Sequence, residues 1–109
     1  MKNGLIVDEY GAKSWCLNDK FHRVDGPAIE YANGDKHWYL NGKFHREGGP
    51  AIEFANGDKH WYLNDKFHRA DGPAIEYVSG YKAWYLNGKR LNCKTQVEFE
   101  QLMRLKFFM

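Results

Sequence analysis

Five histidines occupy two repeating positions in this chain, and histidine is the residue type that most often binds metals or transfers protons near neutral pH. One column holds His22, His45 and His68, and the other holds His37 and His60. On a sheet with two strands per repeat, histidines of one column lie about 9–10 Å apart, whereas two ligands of one zinc ion lie within about 4 Å. We therefore expect structural histidines, each bonded to a turn carbonyl, and neither a metal nor another cofactor.

A column of glutamates has the residue type and spacing that glycoside hydrolysis uses. Glu30, Glu53 and Glu76 would lie about 9–10 Å apart, at the edge of the range for inverting glycosidases. An acid and a base need different environments to separate their pKa values, and identical repeats do not supply them. We predict that the chain is not an enzyme and that Glu30 pairs across strands with His37, and Glu53 with His60.

Tyrosines recur beside basic residues, and we expect Phe21, Phe44 and Phe67 beside the tyrosines. Tyrosine and arginine often dominate the energetics of protein interfaces, so this pattern predicts a protein-binding surface. The candidate binding residues are Tyr39, Tyr62, Tyr85, Arg46, Arg69, His37 and His60. Basic residues among aromatics also suit a nucleotide-like small ligand or nucleic acid, and that alternative stays open.

The elements that position these residues repeat every 23 residues. Trp15, Trp38, Trp61 and Trp84 keep that interval, and a strict period of this length is typical of array architectures. The chain reads as a single domain, residues 1–109. Its four repeats are residues 3–25, 26–48, 49–71 and 72–94.

Each repeat reads as two short strands with tight turns. In residues 26–48, Asn33-Gly34 is typical of a two-residue type I′ hairpin loop, and Asn41-Gly42 marks a second tight turn. The two-residue loop predicts that Ile29 opposes Trp38 and that residues alternate between two faces. The predicted faces are Ile29, Trp38 and Leu40 on one side, and Ala28, Glu30, His37 and Tyr39 on the other.

Residues 95–109 depart from the repeat and predict a C-terminal capping helix. Thr95 and Glu98 have the spacing of a capping box, and we expect the helix to cover Trp84 where the sheet ends. The predicted fold is mostly β: an antiparallel β-meander array of about four two-stranded units with one C-terminal α-helix. A homodimer through this helix or through the N-terminal edge strand stays open.

The segment HWYLNGKFHREGGP, residues 37–50, resembles MORN repeats in its period, its tryptophan, its Asn-Gly-Lys sequence and its histidine. The resemblance covers about residues 3–94, and it departs where Arg23, Arg46 and Arg69 replace the glycine that follows the histidine. The form W-x-x-N-G-K-x-H-R-x-D-G-P-A is also similar to small proteins of bacteriophages and large DNA viruses. These resemblances imply a twisted single-layer β-sheet that binds proteins, and a phage-encoded protein that binds and inhibits a host factor.

The composition limits the class of partner. A net charge of +2 with 28% charged residues lacks the basic excess of a dedicated nucleic-acid binder. No apolar run approaches the roughly 20 residues of a membrane helix, and the start MKNGLIVDEY lacks the features of a signal peptide. We expect a cytoplasmic protein, in the host cytoplasm if it is viral, with Cys16 and Cys93 as reduced thiols.

Overall fold

The computed structural model describes the backbone of residues 3–108 and the side chains of residues 3–105. Fifteen short strands precede one helix, and the molecule extends 49 × 29 × 18 Å. The predicted mostly-β fold, an antiparallel meander with one C-terminal helix, is confirmed. Met109, the last residue of the predicted helical segment, lies outside the described residues.

The strands follow the repeats. The first repeat contains β1 (Gly4–Val7), β2 (Lys13–Leu17) and β3 (Lys20–Phe21). The second contains β4 (Ile29–Glu30), β5 (Lys36–His37), β6 (Tyr39–Leu40) and β7 (Lys43–Phe44). The third contains β8 (Ile52–Glu53), β9 (Lys59–His60), β10 (Tyr62–Leu63) and β11 (Lys66–Phe67). The fourth contains β12 (Ile75–Glu76), β13 (Lys82–Ala83), β14 (Tyr85–Leu86) and β15 (Lys89–Arg90), and helix α1 spans Gln96–Phe108.

The strands form one long sheet and a row of small hairpins. The sheet has nine strands in the order β1-β2-β4-β5-β8-β9-β12-β13, with β3 paired to β2. The hairpins are β6–β7, β10–β11 and β14–β15. Backbone hydrogen bonds join each hairpin to the preceding repeat, as from Gly42 N–H to Phe21 O at 2.9 Å. Trp38 N–H donates to Ala51 O at 2.7 Å, where the chain passes from the sheet into the hairpin.

The predicted strand register is wrong by one residue. Ile29 opposes His37, and Glu30 opposes Lys36, and the same pairing recurs in the third repeat. Residues directly opposite each other in an antiparallel pair point to the same face. Ile29 therefore shares a face with His37 and Tyr39, and Glu30 lies on the other face with Lys36, so the predicted faces of Ile29 and Glu30 are also wrong.

A three-residue loop causes this shift. Tyr31 N–H donates to Asp35 O at 2.9 Å, and within the loop only Gly34 has a positive φ, 101°. The side chain of Asn33 accepts a hydrogen bond from Asp35 N–H at 2.9 Å, which stabilises the turn before the glycine. A turn followed by one left-handed glycine is the three-residue hairpin loop with a bulge.

The second turn of each repeat has positive φ at both central positions. Asn41 has φ 51° and Gly42 has φ 79°, as a type I′ turn requires. In the third repeat Asp65 takes the glycine position with φ 66°. Its carboxylate accepts a hydrogen bond from Phe44 N–H at 2.7 Å, which offsets the backbone strain with a contact to the preceding repeat.

Helix α1 covers the last tryptophan, as the sequence predicts. The rings of Phe99 and Trp84 stack with centroids 6.5 Å apart and are almost completely buried. Trp84 Nε1–H donates to Gln96 Oε1 at 3.0 Å. Thr95 Oγ1 accepts from Glu98 N–H at 3.1 Å, so the N-cap bond of the predicted capping box forms, while Glu98 Oε1 accepts from Lys94 N–H at 3.1 Å.

The loop geometry makes opposite predictions for two asparagines. We expect Asn33→Gly to lower the free energy of unfolding by about 0.5–1 kcal/mol. The substitution removes the side-chain hydrogen bond and increases the conformational entropy of the unfolded chain. Asn41→Gly should change the free energy of unfolding less, because residue 41 has a left-handed backbone conformation that glycine adopts readily. Urea unfolding measures both, and stabilisation by Asn33→Gly would contradict the three-residue loop.

Candidate functional site: an aromatic face

One face of the molecule carries a continuous row of stacked rings. Tyr39 and Phe44 are Cα partners in β6–β7, and Tyr62 and Phe67 are partners in β10–β11, so their rings lie side by side. We call the row the aromatic ladder: Phe21, Tyr39, Phe44, Tyr62, Phe67 and Tyr85, with successive centroid distances of 5.4, 4.3, 5.0, 4.4 and 5.0 Å. The expectation that phenylalanines lie beside the tyrosine column is confirmed.

Two histidines connect the ladder to an outer set of rings. The ring of His37 lies 5.6 Å from Phe44 and contacts Tyr31 edge-on at 5.0 Å. His60 makes the equivalent contacts in the next repeat. The aromatic face consists of the ladder together with His37, His60, Tyr31, Phe54 and Tyr77. The structure thus brings together five of the seven predicted binding residues, namely the three tyrosines and the two histidines.

Burial keeps these two histidines neutral. It lowers the pKa of His37 and of His60, and the nearby carboxylates of Asp35 and Asp58 oppose that shift only in part. The Nδ1 atom of His37 and the Nε2 atom of His60 are buried without a hydrogen-bond partner among the described residues. Protonation of either ring would place a charge in an aromatic surrounding.

The tyrosine hydroxyls also stay uncharged. Burial raises the pKa of Tyr39 to about 12, with smaller electrostatic contributions led by Tyr31. Burial, followed by the charge of Asp65, raises the pKa of Tyr62. Both hydroxyls therefore remain hydrogen-bond donors and acceptors at physiological pH.

Arg46 and Arg69, the other two predicted binding residues, lie with the tryptophans instead. The guanidinium carbon of Arg46 is 3.9 Å from the centre of the Trp38 ring, which is a cation–π geometry. The same guanidinium donates to Pro50 O and to Glu53 Oε1, both at 3.1 Å. Arg69 stacks at 3.9 Å on the tryptophan of its own repeat. These arginines therefore hold one repeat against the next.

A glycine closes the other side of each guanidinium. A Cβ atom at Gly49 would lie 2.6 Å from the guanidinium carbon of Arg46, and Gly26 and Gly72 are equally crowded by their arginines. The glycine before each proline is thus explained by the close approach of arginine to the backbone. The predicted pairs of Glu30 with His37 and of Glu53 with His60 are wrong, because each glutamate opposes a lysine instead.

The other histidine column binds the turn of the following repeat. In each case Nδ1 accepts a backbone N–H, so the expectation of a bond to a turn carbonyl is wrong. The pairs are His22 with Asn41 at 3.0 Å, His45 with Asn64 at 3.1 Å and His68 with Asn87 at 2.9 Å. Within residues 3–105 no three His, Cys, Asp or Glu side chains come together as metal ligands.

The face opposite the aromatic ladder carries balanced charge. Lysines and glutamates alternate along one row of Cα partners in the sheet, so positive charge is not concentrated there. The row is Lys13, Glu30, Lys36, Glu53, Lys59, Glu76 and Lys82.

Comparison with known proteins gives no relative: no family model, no curated protein and no solved structure matches this chain. The resemblance to MORN repeats therefore stays a prediction. Within the described residues, the helix is too short and too polar to cross a membrane.

The contact between arginine and glycine predicts a non-additive pair of substitutions. Gly49→Ala should destabilise the protein by about 0.5–1.5 kcal/mol, because the new methyl group displaces the Arg46 guanidinium from Trp38 and from its hydrogen bonds. Arg46→Ala should also destabilise, through the lost stacking and hydrogen bonds. In the Arg46→Ala background, Gly49→Ala should cost much less. A double-mutant cycle by urea unfolding measures the coupling free energy between the two positions. Additive effects would contradict the packing of the Arg46 guanidinium between Trp38 and Gly49.

The buried histidines predict a loss of stability in acid. Because the pKa of His37 and of His60 is lowered from 6.5 in the folded state, the unfolded chain binds protons more readily. Their stability contribution is complete above about pH 6.5 and is lost as the pH falls through the folded pKa. His37→Phe/His60→Phe should lose less stability than the wild type between about pH 7.5 and pH 5 in urea unfolding. Equal losses would contradict this origin.

Proposed function

We propose that this chain is a non-enzymatic repeat module for protein–protein recognition and that the aromatic face is its contact surface. The observation that carries the proposal is the aromatic ladder, which runs through all four repeats and is half-buried or exposed along its length. Tyrosine supplies large contact area together with a hydrogen-bonding hydroxyl, and it is common among interface hot spots. Half-exposed rings on a single-layer sheet suit such an interface.

The orientation of the rings favours a protein over a nucleotide. Each inner ring of the ladder has a neighbouring ring on both sides, at 4.3–5.4 Å. Base stacking needs a free ring face, and the inner rings have other described rings on both sides. Ring edges and tyrosine hydroxyls remain for contact along the length of the ladder, and these suit side chains and backbone groups of a protein.

The charge pattern also counts against a polyanionic partner. Nucleic-acid binding depends on phosphate neutralisation by concentrated Lys and Arg. In this chain the sheet lysines alternate with glutamates, and Arg46 and Arg69 are already paired with Glu53 and Glu76.

The biological setting follows from the resemblance to small viral proteins. We propose a phage-encoded protein that acts in the host cytoplasm, where it binds and inhibits a host factor. An abundant, rigid aromatic surface on a small chain suits an inhibitor, because little conformational entropy is lost when a rigid surface binds.

Pull-down from bacterial host extract tests the surface with matched baits. The variant Tyr39→Ala/Tyr62→Ala/Tyr85→Ala should capture at least about tenfold less of the partner, since each hot-spot residue contributes roughly 1–2 kcal/mol or more. Tyr39→Phe/Tyr62→Phe/Tyr85→Phe keeps the ladder and should retain more binding. Val97→Lys, an exposed change on helix α1, should bind like the wild type.

Circular dichroism checks the fold of each bait. If the triple alanine variant unfolds, Tyr85→Ala, at the end of the ladder, replaces it. Undiminished capture by a folded alanine variant would overturn the aromatic face as the contact surface. A saturable thermal shift with nucleotides, about 2.7 kcal/mol at 100 times the Kd, would instead favour the nucleotide-like ligand.

A further inference from the structure

The tryptophan side of the molecule contains two equivalent grooves that no described residue fills. The six lining residues named here for the first groove each have a counterpart in the second groove, 23 residues later. The first, of about 630 Å³, is lined by Val24, Asp25, Trp38, Leu40, His45 and Arg46. The second, of about 420 Å³, is lined by Glu47, Gly48, Trp61, Leu63, His68 and Arg69.

The third equivalent position is occupied by the chain's own helix. The amide of Gln96 bridges two groups there: its Oε1 accepts from Trp84 Nε1–H at 3.0 Å, and its Nε2 donates to Asp71 O at 3.1 Å. Phe99, one turn later on the helix, stacks on Trp84. Asn92 stands where the earlier repeats have arginine, so no guanidinium covers this tryptophan ring.

The second groove is lined by Trp61 and Gly48, the residues that correspond to Trp84 and Asp71. Trp61 Nε1 is buried and has no hydrogen-bond partner among the described residues, and leaving a buried donor unpaired is costly. Asp71 lines both this groove and the cavity beside Phe99. The second groove therefore adjoins the position that the helix covers.

We propose that these grooves bind an α-helix of a protein partner, whose contacting face carries a glutamine or asparagine amide and an apolar residue one turn later. The amide accepts from the tryptophan indole and donates to the carbonyl that corresponds to Asp71 O. Because arginine already covers the indole ring in these repeats, the apolar residue contacts the Leu40 or Leu63 wall. This site is separate from the aromatic face, so an experiment can refute one of the two proposed contact surfaces without refuting the other.

A partner fits better than a second copy of this chain. The chain's own helix is already engaged, since Phe99 and Trp84 are 2% and 1% exposed. Withdrawing it to fill another copy's groove would expose both rings to water. A helix from a partner protein can bind without exposing these two rings.

Nuclear magnetic resonance tests the proposal with a peptide of residues 94–105, KTQVEFEQLMRL, added to the ¹⁵N-labelled full chain. The indole N–H signals of Trp15, Trp38, Trp61 and Trp84 report each position separately after assignment by single Trp→Phe substitutions. We expect saturable shifts of the Trp38 and Trp61 signals while the Trp84 signal stays in place. The matched peptide with Gln96→Leu should bind about three- to tenfold more weakly, because it lacks the bridging amide.

Three results would overturn the proposal. Absence of any saturable shift means that the grooves do not accept such a helix. A shift of the Trp84 signal alone means that the peptide only exchanges with the chain's own helix. Self-association of the full chain in sedimentation, with shifts of the Trp38 and Trp61 signals on concentration, assigns the grooves to a second copy instead of a partner. The Trp15 signal, which belongs to neither groove, should stay in place.

Discussion

A guanidinium group held between an indole ring and a glycine joins each repeat to the next. The arginine stacks on the tryptophan of its own repeat and donates to a carbonyl of the following one, and in the second and third repeats it also pairs with a glutamate of the following repeat. Each repeat of such an array contacts its neighbours in the row, so the repeats depend on these lateral contacts. Where the arginine is absent, at Asn92, Phe99 of the C-terminal helix covers the Trp84 ring instead.

Most of the repeated side chains have such a connecting role. His45 accepts from the turn of the next repeat, Asp35 accepts from Ala55 N–H, and Asp65 accepts from Phe44 N–H. Repetition that resembles a catalytic or metal-binding pattern in the sequence is thus largely a set of hydrogen bonds between neighbours. The aromatic ladder is different, because its ring edges and hydroxyls are only half-buried and remain open to a partner.

The ladder and the grooves lie on different sides of the same strands. Alternation along the strand separates Tyr39 from Trp38, so one side offers rings and hydroxyls and the other offers indoles, guanidinium groups and paired charges. Two surfaces of different chemistry on one array suit the proposed role in protein recognition.

The sequence alone determined the repeat length, the mostly-β fold, the turn at Asn41-Gly42, the capping box and the tyrosine–phenylalanine column, because each depends on local spacing or on a periodicity of 23. Only the tertiary structure decided the register of the first hairpin. Asn-Gly fits both a two-residue and a three-residue loop, and the choice moves Ile29 and Glu30 to opposite faces. It also decided the position of Arg46, since stacking on Trp38 and contact with Gly49 depend on how neighbouring repeats approach each other in space.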